Sequence, residues 1–219
     1  MIVKVCGMRE AENIRAVEAL GIDLMGFIFW PKSSRYVSER PAYLPTRCKR
    51  VGVFVDASID DIRQHIVDYG LDLIQLHGHE SPDDLRRYRS VYGDSVAVIK
   101  AFNIATADDL KATKPYEGLA DYFLFDTRMP PKETEDGLPP GGTGKQFDWS
   151  VLTAYDDKTP FLLSGGIGPD DASRLRQSLA LDGFPVEKCI GIDLNSRFEI
   201  SPALKDVAVL GRFLSQLSH

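Results

Sequence analysis

Eight short apolar runs, each followed by a stretch of helical or turn character, recur along the whole 219-residue chain. No other feature constrains the fold as much. The runs lie at 2–6, 24–29, 50–55, 71–76, 96–102, 122–126, 161–164 and 189–193. Between them, Glu10 to Leu20 carries Ile14, Val17 and Leu20 on one helical face, and Ser58 to Tyr69 does the same with Ile59, Ile62, Ile66 and Tyr69. Ser81-Pro82-Asp83-Asp84 reads as an N-cap, a proline at the first helical position and acids in the first turn. Helical segments continue at 105–118, 147–155, 169–179 and 202–217, whereas Ser38 to Thr46, with Pro41 and Pro45, makes a poor second helix. Strands joined by such crossovers predict an α/β domain. The expected architecture is a single (β/α)8 TIM barrel over residues 1–219, with an open doubly wound sheet as the competing topology.

The apolar run Phe161 to Ser164 stops abruptly at Gly165-Gly166, and Cys189 to Asp193 stops at the polar turn Leu194-Asn195-Ser196. Paired glycines let a backbone approach a ligand closely, and two consecutive strands ending in backbone donors would hold a dianion. Each segment taken alone is equally an ordinary strand-to-helix turn. The longest interruption, 127–146, holds four prolines and four glycines and is almost without apolar residues, so it reads as a lid over the site.

Composition narrows the function. No apolar run approaches the roughly 20 residues that span a bilayer, and MIVKVCGMRE lacks the charged and apolar regions of a secretory signal, so no membrane partner and a cytoplasmic location are expected. Cys6, Cys48 and Cys189 are too scattered for a disulfide framework. A net charge of -6 offers nucleic acid no general attraction, and an anionic substrate must be met by local donors. Four histidines without an alignable ligand set make a metal unexpected, and the Gly141 to Lys145 segment lacks Walker spacing.

In a barrel, chemistry sits at the carboxyl ends of strands. The polar residues there are Cys6, His77, Asp126 and Asp193, with Arg35 in the loop after the second run. Singly, each has an ordinary explanation: a buried thiol, a loop histidine, a capping aspartate. Together, a cysteine and an aspartate at the mouth of one barrel make an acid–base pair, provided a cation such as Lys4 favours the thiolate.

The ordered segments KVCGM (4–8), GFIFWPKSSRYVS (26–38), VGVFVD (51–56), LIQLHGHE (73–80), LFDT (124–127), GGTGKQFDW (141–149), LSGGI (163–167) and GIDLNSRFE (191–199) resemble the motif series of the phosphoribosylanthranilate isomerases. The resemblance implies an Amadori rearrangement in tryptophan biosynthesis without cofactor or metal. It makes Asp126 the general acid that opens the sugar ring and Cys6 the thiolate that removes the C2 proton. It places Arg35 at the anthranilate end, and it assigns Gly142, Gly144, Gly165, Gly166, Asn195 and Ser196 to the phosphate, with His77 and Asp193 at the rim. A small-molecule substrate is the implied partner, for a monomer or homodimer.

Two departures flank the expected phosphate site: Arg197-Phe198 where glycine often follows the serine, and SPALKD (201–206) where the family commonly has PGxKD. The rivals are a sugar-phosphate isomerase or synthase of a neighbouring barrel family, and a catalytically silent barrel that binds a phosphorylated metabolite.

Overall fold

Closure of the sheet decides between the two topologies. The computed structural model describes residues 1–126 and 149–217. Its strands β1 (Ile2–Val5), β2 (Leu24–Ile28), β3 (Lys49–Phe54), β4 (Leu73–Leu76), β5 (Ala97–Asn103), β6 (Tyr122–Asp126), β7 (Phe161–Ser164) and β8 (Cys189–Leu194) pair in chain order. All pairings are parallel, and β8 returns to β1 with Lys4 opposite Asp193, so the sheet is a closed eight-stranded barrel and the open alternative is excluded.

Strand periodicity sorts the apolar residues into two cores. Leu24, Val51, Leu73, Ile99, Ala101, Leu124 and Leu162 form a small cluster that fills the barrel. A larger one, including Phe27, Phe54, Ile74, Phe123, Phe125, Phe161 and Leu163, lies between the strands and the outer layer. Each fully buried side chain of this size contributes about 1.5–3 kcal/mol. The interior is therefore packed up to the level of Lys4 and Gln75, which are buried polar residues in otherwise apolar strands.

The outer layer contains α1 (Ala11–Glu18), α2 (Ile59–Tyr69), α3 (Pro82–Tyr92), α4 (Ala172–Leu179) and α5 (Val207–Leu217). The start signals of α2 and α3 are realised: Ser58 Oγ accepts from Asp61 N at 3.1 Å, and Ser81 and Asp84 form a reciprocal capping box. Gly70 ends α2 in the left-handed conformation, φ 57°.

Elsewhere the expected helices are replaced. No helix forms between β2 and β3, where Pro41 and Pro45 interrupt the ladder. Residues 107–116 and 149–154 run as 3-10 turns; the first contains Pro115, which lacks the N–H an α-helix needs. The last helix begins at Val207 rather than Pro202, because β9 (Glu199–Ser201) and β10 (Leu204–Lys205) form an antiparallel hairpin. Its turn holds Ala203 at φ 68°, so this alanine adopts a left-handed backbone, at a cost of about 1–2 kcal/mol. No helix of the described residues is long and apolar enough to cross a membrane.

Candidate active site

Cys6 directly follows β1, its N–H donating to Leu194 O of β8 at 2.9 Å, and the residue is only 3% exposed. The space for its sulfur comes from β2: a Cβ on Gly26 would stand 2.7 Å from Cys6 Sγ. Below it lies Lys4, fully buried, with Nζ donating to Asp193 Oδ1 at 2.9 Å. Burial works to lower the lysine, but the carboxylate of Asp193 and the charge of an ionised Cys6 raise it, so Lys4 is a firm cation. Burial pushes the Cys6 thiol up; Lys4 pulls it down, Asp193 raises it and Lys205 lowers it, with a net upward shift in the absence of substrate. The sequence expectation that Lys4 is the cation beside the thiol is met. Its effect is partly cancelled by the aspartate that holds it.

A second network joins the loops after β2 and β8. Arg35 Nε and Nη2 donate to both oxygens of Glu199 at 2.6–3.0 Å. Lys205 Nζ donates to the same carboxylate at 2.6 Å and to Asn195 Oδ1 at 2.9 Å. Burial raises Glu199, yet the hydrogen bonds from Arg35 and Lys205 hold its carboxyl below the usual range. Burial in turn lowers Lys205. Asn13 of α1 fixes the Lys205 backbone from both sides, accepting from its N–H at 2.8 Å and donating to its carbonyl at 2.9 Å. Gly7, φ 76°, lets the chain pass underneath: a Cβ there would stand 2.7 Å from Arg35 Cδ and 2.8 Å from Asn195 Oδ1. That is the local reason for glycine after Cys6.

Across the mouth, Asp126 ends β6 and is 3% exposed, in register with Ser164 of β7. His77 Nε2 lies 4.0 Å from Asp126 Oδ2, and His77 Nδ1 meets Gln75 Nε2 at 2.9 Å. The contact with the Gln75 amide holds the ring with its Nε2 edge toward the aspartate. The loop carrying His77 is itself pinned. Lys100 Nζ donates to Glu80 Oε2 at 2.9 Å and Gly78 O at 2.8 Å, and Glu80 accepts from the N–H groups of Asp56 and Gly78.

Gly165 and Gly166 both have positive φ, 91° and 73°, a sequence of conformations open only to glycine without strain. Asn195 and Ser196 follow β8 as expected, and Ser196–Phe198 forms a single 3-10 turn. Gly142, Gly144 and the 127–146 segment read as a lid lie outside the described residues. Among the described residues no three His, Cys, Asp or Glu side chains converge as a metal would need.

Sequence reasoning brought forward Cys6, Lys4, Arg35, His77, Asp126 and Asp193, but missed Gln75, Glu80, Lys100, Glu199 and Lys205. A usable signal existed for four of them. Gln75 and Lys100 are polar residues inside apolar strand runs, and Glu80 and Glu199 each close one of the motif segments, LIQLHGHE and GIDLNSRFE.

Comparison with known proteins gives the chain its family. The sequence model of the family described as N-(5'-phosphoribosyl)anthranilate isomerase matches residues 3–216. The Phocaeicola vulgatus protein named N-(5'-phosphoribosyl)anthranilate isomerase is 51% identical over 219 residues, covering 100% of this chain and 98% of its own. The crystal structure of phosphoribosyl anthranilate isomerase from Thermotoga maritima superposes with a TM-score of 0.79 at 30% identity, covering 100% and 99% of the two chains. A second solved isomerase, in complex with reduced 1-(o-carboxyphenylamino)-1-deoxyribulose 5-phosphate, gives 0.77 at 28% identity, with coverage of 100% and 99%. On its sequence and on its fold alike, this chain belongs to the N-(5'-phosphoribosyl)anthranilate isomerase family.

Proposed function

We propose that the chain converts N-(5-phosphoribosyl)anthranilate to 1-(2-carboxyphenylamino)-1-deoxyribulose 5-phosphate, with Asp126 as general acid and Cys6 as general base. Family membership already makes it an isomerase of tryptophan biosynthesis. The observation that carries the assignment of roles is the pairing of two buried titratable groups at one end of the barrel, the Cys6 thiol over Lys4 and the Asp126 carboxyl beside His77.

In this reading Asp126 gives its proton to the furanose ring oxygen. The C1–O bond breaks and the anilino nitrogen supplies the electron pair, forming an iminium cation. That cation acidifies the C2–H, and Cys6 as thiolate takes the proton; the C2–H electrons form the enolamine, which tautomerises to the ketone. Burial disfavours the thiolate and Lys4 favours it, so Cys6 acts as base once its own proton has passed to solvent. The acid acts first because only the iminium acidifies the C2–H. Arg35, oriented by Glu199, suits the anthranilate carboxylate. Backbone N–H groups of the 142–144, 165–166 and 195–196 segments would take the phosphate.

The test follows the loss of anthranilate-type fluorescence from phosphoribosylanthranilate generated in place. Wild type should turn over. Cys6→Ala and Asp126→Asn should each lose at least about 10²-fold in kcat while still binding substrate, the usual scale of a general acid–base contribution. Wild-type rates in either variant would remove that residue from the mechanism.

A further inference from the structure

Arg197 follows Asn195-Ser196 in the turn leaving β8, and its side chain turns back over the loop leaving β7. Its Nε and Nη2 lie 3.2 and 3.3 Å from where a Cβ on Gly168 would stand. Gly168 is two residues beyond Gly166, in the turn whose glycines hold positive φ. The guanidinium therefore spans the two backbone segments between which the phosphate is proposed to lie.

Charge separates Arg197 from its neighbours. Within 165–171 and 195–206 the other cation is Lys205, which is held by Glu199 at 2.6 Å. Nearby Arg174 is held by Asp171 at 3.2 Å and lies 3.9 Å over the Trp149 ring. Arg197 is exposed and makes no hydrogen bond or ion pair among the described residues. The carboxylate beside it, Asp171 Oδ2, lies 3.5 Å from the same Cβ position but is engaged by the Gly168 N–H at 2.7 Å and shares its group with Arg174. On a chain of net charge -6, a guanidinium outside any ion pair among the described residues is thus a local source of attraction for a dianion.

We infer that Arg197 is a side-chain ligand of the substrate's phosphate, closing over the group from the β8 side with its guanidinium lying over Gly168. A planar fork matches phosphate oxygens with two parallel donors. The contact to Gly168 limits where the fork can swing. The inference rests on the proposed position of the phosphate. It adds a determinant of substrate affinity that binds ground state and transition state alike, so its effect falls on KM.

The experiment uses the full chain with Arg197→Ala and Arg197→Lys. It measures kcat, KM for phosphoribosylanthranilate, the inhibition constant of inorganic phosphate, and calorimetric binding of inorganic phosphate alone. Arg197→Ala is expected to raise KM and the phosphate inhibition constant together by about tenfold, with kcat within about twofold of wild type; such charge-assisted contacts are commonly of this size. The difference should shrink at high salt, and Arg197→Lys should recover part of it. A correctly folded Arg197→Ala with unchanged KM and phosphate inhibition leaves the side chain a cover for Gly168 and overturns the inference, while the reaction stands. Should wild type fail to turn over, calorimetry decides. Phosphate binding that is lost in Arg197→Ala sustains the ligand role without the reaction, and binding that is equal or absent in both overturns it.

Discussion

Replacing Lys4 by methionine separates packing from electrostatics at the base of the site. Lys4 is fully buried and its partner Asp193 nearly so, at 2.9 Å. Methionine fills the volume of the stem and leaves the carboxylate in the interior without its cation. Removing one member of a buried pair costs about 3–5 kcal/mol, a large share of the roughly 5–15 kcal/mol that holds a domain together. A second effect is chemical. Burial raises the Cys6 thiol, and Lys4 is the largest influence pulling it down, so its loss moves the thiol further up. The thiolate is the proposed base; below its pKa the rate falls about tenfold for each unit the pKa rises, so the rising limb of kcat/KM against pH should move to higher pH. Urea unfolding reads the first effect and the pH–rate profile, taken where the variant is folded, reads the second. Adding Asp193→Leu should recover most of the stability, because an apolar pair can replace a buried ionic one. It should not restore the neutral-pH rate, since the cation is still missing. A Lys4→Met protein with a wild-type urea midpoint, or a limb that has not moved, would refute the reasoning.

Gly26→Ala should lose most turnover while destabilising by about 1–3 kcal/mol, since its methyl would stand 2.7 Å from Cys6 Sγ and must displace it; an unchanged kcat would show that the sulfur position is not critical. Lys100→Met leaves the Glu80 carboxylate, 3% exposed, without its cation and should cost about 3–5 kcal/mol in urea unfolding, with a raised KM from loosening of the His77 loop; an unaltered midpoint would contradict this. Cys48 and Cys189 are each pushed up by burial from 9.0 to about 12. The folded chain keeps protons that the unfolded chain releases, so stability present below pH 9 should fall as pH rises from 9 toward 12, with a shallower fall in Cys189→Ala. A fall of equal slope in that variant would remove Cys189 as a cause.

The barrel was legible because each strand is buried on both faces and reads as a continuous apolar run, and because α2 and α3 carry their own caps. The weaker outer segments were misread where a local turn outweighed periodicity. Apolar spacing in 202–217 pointed to one helix from Pro202, but the pairing of Leu204 and Lys205 with β9 claimed the first residues for a hairpin. At the site, strand-end residues could be found by counting, since position along a strand fixes which end a side chain reaches. Partners could not. Nothing in the spacing of Arg35 and Glu199, 164 residues apart, announces a bidentate pair, and the contact between Gln75 and His77 depends on which face of β4 the glutamine occupies.

The pairing of cations with carboxylates before substrate arrives has a consequence for recognition. Arg35 reaches Glu199 through Nε and Nη2, so Nη1 is the nitrogen that this pairing leaves over. Lys205 shares the same carboxylate and steadies it from behind. The arrangement surrenders part of the arginine's charge but fixes its plane, and a fixed plane loses little further rotamer entropy when a carboxylate docks. Lys4 works likewise beneath Cys6, with Asp193 cancelling some of its pull on the thiol in return for holding the ammonium in a dry interior. In the proposed reading, a positioned cation of reduced net charge discriminates by geometry, whereas the exposed Arg197 attracts by charge. Those two kinds of group would suit the two ends of a substrate whose carboxylate is planar and whose phosphate is a dianion.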